Sequence, residues 1–105
     1  MKEYESRLKR DELDSLFQAI LQLNTLSECY QFFEDALTIP ELLSVAQRWE
    51  VARSLDQGGT YADISERLAA STASISRVNR ALSYGAGGYR LLLDRLKEKE
   101  SAKEQ

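Results

Sequence analysis

From Thr60 to Leu82 the chain reads TYADISERLAASTASISRVNRAL. Ile64, Leu68, Ile75 and Val78 follow one another at spacings of four, seven and three residues. That rhythm puts two apolar residues on the inner face of each of two short helices, joined by a tight turn at Ala69-Ala70-Ser71. Helices that cross closely need small residues where they touch, and Ser65, Ala69, Ala70 and Ser71 supply them. Residues 60–82 therefore predict a helix-turn-helix. Glycine is the easy occupant of a left-handed turn, so Ala69 predicts a slightly strained backbone at that point.

The outward face of the second helix decides what the motif is for. Its first turn is Ser71, Thr72, Ala73 and Ser74, followed by Ser76, Arg77, Asn79 and Arg80. Short hydroxyls at a helix N-terminus can approach phosphates, aided by the positive end of the helix dipole. Ser, Thr, Asn and Arg also read base edges in the major groove, and an alanine can meet a thymine methyl. An ordinary helical hairpin would mix Glu with Lys there. From Ser71 to Leu93 there is instead no acid at all, while Arg77, Arg80 and Arg90 are present. These eight residues are the expected contacts to double-stranded DNA.

Outward from the motif, the pattern stays helical. Leu13, Leu16, Phe17, Ile20 and Leu23 predict a first helix from Asp11, ended by Asn24-Thr25. Thr25-Leu26-Ser27-Glu28 has capping-box spacing and opens a second helix, with Leu26, Tyr30, Phe33 and Leu37 on one stripe. Thr38-Ile39-Pro40-Glu41 repeats that spacing ahead of a long third helix, where Pro40 is tolerated in the first turn. Leu42, Val45, Ala46, Trp49, Ala52 and Leu55 run along it until Gly58-Gly59 stops it. After the motif, Gly85-Ala86-Gly87-Gly88 breaks the fifth helix, and a sixth follows from Tyr89 to about Glu100 with Leu92, Leu93 and Leu96. The expectation is one all-α domain of six helices over residues 1–105, with charged, frayed ends at 1–10 and 98–105.

Composition narrows the function. A chain of 105 residues is one small domain by size. It contains no histidine, which removes the commonest general base and the commonest metal ligand. The single cysteine, Cys29, can form neither an internal disulfide nor a thiolate zinc site, and it reads as a buried small apolar residue. No enzyme, metal or cofactor is expected. No apolar run reaches the roughly 20 residues that span a bilayer, and the polar start is unlike a secretory signal, so a cytoplasmic protein is expected. The net charge of −3 is unevenly spread. Residues 1–59 hold six basic and eleven acidic side chains, and residues 60–105 hold eight and six. Phosphate attraction acts within about 8–10 Å, so the local balance counts for more than the total.

Four landmarks carry a family resemblance: Leu37-Thr38 ahead of the long helix, Arg48 within AQRWEVAR (46–53), the Gly58 stop, and Ser74-Ile75-Ser76-Arg77. With one residue deleted after Gly58, the chain resembles the Trp-repressor superfamily, and within it the YerC/YecD-type proteins. The resemblance implies a six-helix Trp-repressor-like subunit whose N-terminal helices interlace with a second copy. In such a homodimer the paired recognition helices enter successive major grooves. It also implies that Leu37, Thr38, Arg48, Arg77, Val78 and Ala81 occupy the places that line the family's effector pocket. Val78 and Ala81 stand where Trp repressor has glycine and serine. Valine fills the space for a flat ring and alanine removes a hydroxyl, so tryptophan is not the expected ligand. Two readings of the pocket stay open: another small-molecule effector, or structural and phosphate-facing roles for Arg48 and Arg77 with Val78 in the core. Two readings of function also stay open. One is a sequence-specific transcriptional regulator, expected to repress. The other is a helical protein–protein interaction module that kept the fold without binding DNA.

Overall fold

The computed structural model describes residues 3–104, and among these there are six helices and no strand. They are α1 (Asp11–Ile20), α2 (Leu26–Ala36), α3 (Ile39–Asp56), α4 (Tyr61–Leu68), α5 (Thr72–Tyr84) and α6 (Gly88–Glu104). The expected all-α order is thus found. The chain falls into two compact units, Met1–Thr38 and Ile39–Gln105, where the sequence reads as one domain.

In the first unit, Asp11, Glu12 and Asp14 open α1 with negative charge beside the positive end of its dipole. Lys9 ion-pairs with Asp14. The helix stops at Ile20, and the N–H groups of Gln22 and Leu23 then bond three residues back, to Ala19 and Ile20. The Thr25 hydroxyl accepts the Glu28 N–H at 3.1 Å, as capping-box spacing predicts. The Glu28 carboxylate accepts from Asn24 N at 2.8 Å, one residue before the cap itself. Neither α1 nor α2 buries any residue, and the edge-to-face pair Phe32–Phe33 is half-buried. Cys29, read as buried, is half-buried.

The second unit holds the core. α3 packs against α4, α5 and α6, and α5 packs against α4 and α6. Val51 and Ala52 of α3, Ile64 of α4, Ala70 of the turn, and Ile75 and Val78 of α5 form one buried cluster. Leu55, Leu68 and Tyr89 pack on it, and Leu93 of α6 is buried as well. Val51 belongs to the stripe that the spacing missed, whereas Val45 is half exposed and Ala46 exposed. The buried residues of α3 all lie in its C-terminal half, at Val51, Ala52 and Ser54.

α3 ends as its glycines predict. The Gly59 N–H reaches back to the Ser54 carbonyl at 2.9 Å and the Gly58 N–H to Leu55 at 3.0 Å. Gly58 takes φ +89°, a conformation that L side chains rarely adopt. α5 stops at Gly85, where a Cβ would fall 2.4 Å from the Ala81 carbonyl oxygen. Asp56, its side chain only 9% exposed, then ties α3 to α6. Lys97 Nζ lies 2.7 Å from one carboxylate oxygen and Arg90 2.6 Å from the other. Hydrogen bonds from Lys97 and then Arg90 hold the Asp56 carboxyl below its ordinary range, and the Asp56 bond raises Arg90. α6 continues to Glu104, beyond the expected end near Glu100, because Lys97 to Lys103 holds only residues compatible with a helix. Residues 3–10 form no helix, and residues 1, 2 and 105 of the expected frayed ends lie outside the described residues.

Candidate nucleic-acid interface

Two side-chain bonds lock α4 onto α3. Gln47 Nε2 donates to the Leu68 carbonyl at 3.2 Å, satisfying an acceptor at the open end of α4. Arg67 donates to the buried Ser54 hydroxyl at 2.7 Å. Thr60 caps the start of α4 by accepting the Asp63 N–H at 3.2 Å. At its other end Ala69 takes φ +53° and ψ +33°, the left-handed turn that the sequence anticipates. Ala70 is buried beneath that turn. The geometry from Thr60 to Leu82 is thus helix, left-handed turn, helix around a shared core.

The nominated residues of α5 separate into three groups. Ser71 is the N-cap: its hydroxyl accepts the Ser74 N–H at 3.1 Å and donates to the Ser74 hydroxyl at 3.0 Å. Both its donor and its acceptor are therefore engaged inside the cap. Thr72, Ala73, Ser76, Arg77 and Arg80 are exposed. Among the described residues, neither Arg77 nor Arg80 makes an ion pair. Their charges are not cancelled locally, whereas Arg90 is paired with Asp56 and the Arg67 side chain is held by the neutral Ser54 hydroxyl. Asn79 is half-buried, and its Nδ2 donates to the Tyr61 hydroxyl at 3.1 Å. Tyr61 carries no sequence signal for this role, because no spacing rule brings together two residues eighteen positions apart.

A cleft of about 260 Å³ lies on the other side of α5, against α3. Arg48, Arg77, Val78 and Ala81 line it, and so do Ser44, Gln47, Ser74 and Tyr89. Four of the six nominated pocket residues are thus brought together. Leu37 and Thr38 belong to the first unit, where Leu37 closes α2 in an extended conformation. Val78 is 2% exposed and part of the core cluster, so its side chain forms a filled floor to the cleft. Arg48 Nε bonds to the Ser44 carbonyl one turn earlier, at 3.4 Å.

This arrangement defines a helix-turn-helix protein. The family profile described as Trp repressor protein matches residues 11–97, and the chain belongs to that family of DNA-binding regulators. It is 54% identical over 95 residues to protein YerC of Bacillus subtilis (strain 168), covering 90% of this chain and 91% of that one. A TrpR-like protein of Eubacterium eligens ATCC 27750 superposes with a TM-score of 0.83 at 54% identity, over 87% of this chain and 94% of its own. A further solved structure, from Staphylococcus aureus, gives 0.82 at 48% identity, over 87% and 91%. The chain has an all-α Trp-repressor-like fold, in line with these two solved structures.

Proposed function

We propose that the chain is a sequence-specific transcriptional regulator, acting as a repressor, that reads duplex DNA through α5. The observation that carries this reading is the outward face of α5. Thr72, Ala73 and Ser76 are exposed in its first turns, Arg77 and Arg80 beside them make no ion pair among the described residues, and no acid occurs between Ser71 and Leu93. Arginines neutralise phosphates and fix register, while the small residues of the first turn lie against base edges. Ser71 and Ser74 serve chiefly to cap the helix and hold it in place.

The reading includes a homodimer. Leu16, Phe17, Leu21, Leu26 and Tyr30 of the first unit are between 39% and 81% exposed in the single chain. Full burial of such a side chain is worth roughly 1.5–3 kcal/mol, and each of these forgoes a share of that in proportion to its exposure. The second unit offers an apolar depression of about 550 Å³, with Val45, Trp49, Tyr89 and Leu92 among its lining residues. A second copy covering such faces would present two α5 helices one turn of DNA apart. For the cleft beside Arg48 and Arg77, the filled floor at Val78 favours phosphate-facing arginines over an effector, and disfavours tryptophan in particular.

The test is a titration of folded Thr72→Ala and Arg80→Ala proteins against selected and mixed-sequence duplexes. Thr72→Ala should alter base preference more than overall affinity. Arg80→Ala should weaken binding to every duplex if it touches backbone, or cost about 1–3 kcal/mol at one base position if it reads guanine. Loss of neither affinity nor preference in both variants would favour the protein-interaction reading.

A further inference from the structure

We propose that Tyr61 and Asn79 form an uncharged clamp for a DNA phosphate, with Tyr61 as a backbone contact at the start of α4. This rests on the reading of α5 as the DNA-facing helix. Asn79 lies on the outward face of α5 at the edge nearest α4, about 20° around the helix from Thr72. Its Nδ2 donates to the Tyr61 hydroxyl across 3.1 Å, in a solvent-exposed pair. A phenol is both donor and acceptor, and an amide nitrogen carries two N–H groups. With the phenol oxygen accepting from Asn79, its own O–H is left to donate outward. The second N–H of Asn79 is left as well. The pair thus keeps two donors, on atoms 3.1 Å apart, at the exposed seam between the two helices of the motif, and each bond made polarises the next.

Charge and docking geometry say what would fill that place. In a helix-turn-helix the first helix crosses the DNA backbone while the second enters the groove. The seam between them is where a phosphate meets the protein, and tyrosine hydroxyls are recurrent phosphate donors. Asp63 and Glu66 leave α4 about 200° and 140° around from Tyr61, so neither acid shares its face. Arg80 stands one residue beyond Asn79 on the outward side of α5 and, among the described residues, makes no ion pair. The clamp itself carries no charge, which gives it a signature distinct from that of Arg80. It should contribute affinity without releasing a counterion, and so without steepening the salt dependence.

The experiment is an anisotropy titration of labelled mixed-sequence duplexes two to three helical turns long, over a series of salt concentrations. Tyr61→Phe keeps the ring and removes the hydroxyl. It should bind roughly two- to tenfold more weakly per subunit, equally on every duplex, with an unchanged salt slope. Asn79→Ala should do the same, and the double variant should lose less than the sum of the two, because the pair acts as a unit. Duplexes with single methylphosphonate substitutions give a second readout. The unaltered protein should be sensitive at one phosphate per half-site where Tyr61→Phe is not. Full affinity in folded Tyr61→Phe would overturn the clamp, and so would a loss confined to one sequence or one that changes the salt slope. If the unaltered protein shows no salt-sensitive binding to any duplex, the DNA reading falls and the clamp with it.

Discussion

Replacing Ala69 with glycine should stabilise the protein, as glycine commonly does at the left-handed end of a helix. Ala69 holds φ +53° and ψ +33° at the end of α4. An L residue in that left-handed region costs roughly 1–2 kcal/mol through the crowding of its Cβ against the backbone. Glycine removes the crowding but loses more freedom on folding, which takes back about 0.4–1 kcal/mol. The difference between the centres of those ranges is a net gain of about 0.8 kcal/mol. For a chain of this size that corresponds to a rise of roughly 3–6 °C in thermal midpoint. Urea and thermal unfolding at one fixed protein concentration would measure it, since any association shifts apparent stability by mass action. Ala69→Val, with its branched Cβ, should be clearly destabilised in the same assays. Because the glycine keeps the same turn, DNA affinity should not change. A clear loss of stability in Ala69→Gly would refute the left-handed turn and with it the present account of the motif.

Other perturbations test separate parts of the molecule. The thermal midpoint should rise with protein concentration, because exposed α1 and α2 side chains such as Phe17 and Leu26 are to be covered by a second copy; a concentration-independent midpoint with a monomeric sedimentation mass would exclude that. Calorimetric titration with tryptophan should show no saturable heat, since Val78 is core, and clear binding of one molecule per subunit would restore an effector site at Arg48 and Arg77. Ile75→Ala, at a fully buried position, should cost roughly 2–5 kcal/mol of stability in denaturant titration. Asp56 titrates below its ordinary 3.8 when folded, so its contribution is present above that pH and is lost as pH falls through the lower folded value. Asp56→Asn should therefore lower stability at neutral pH and flatten its decline in acid.

The motif was legible because it is written in local terms. Thr60 opens the first helix, Ala69 turns between the two, and Ile64, Ile75 and Val78 are buried as their spacing requires. The third helix was less legible. Val51 is buried and Val45 is not, because the helices packed against α3 bury only its C-terminal half. The apolar stripes of α1 and α2 were legible as stripes, yet a single chain buries none of their residues. On the candidate interface, residue types pointed to Arg80 and Thr72, but could not tell that Ser71 spends its hydroxyl on the cap. Nor could they show that Asn79 is already bonded to Tyr61, a pairing made only when α4 and α5 come together.

The most direct test of the central claim is the affinity of the unaltered protein for duplex DNA as a function of salt, measured beside Arg80→Ala. If α5 faces the duplex, log affinity should fall linearly and steeply with log salt, by about 0.9 for each phosphate neutralised. Removing Arg80 as a backbone contact should flatten that line by about one phosphate per subunit. Binding that is absent, or insensitive to salt and unchanged in Arg80→Ala, would contradict the account.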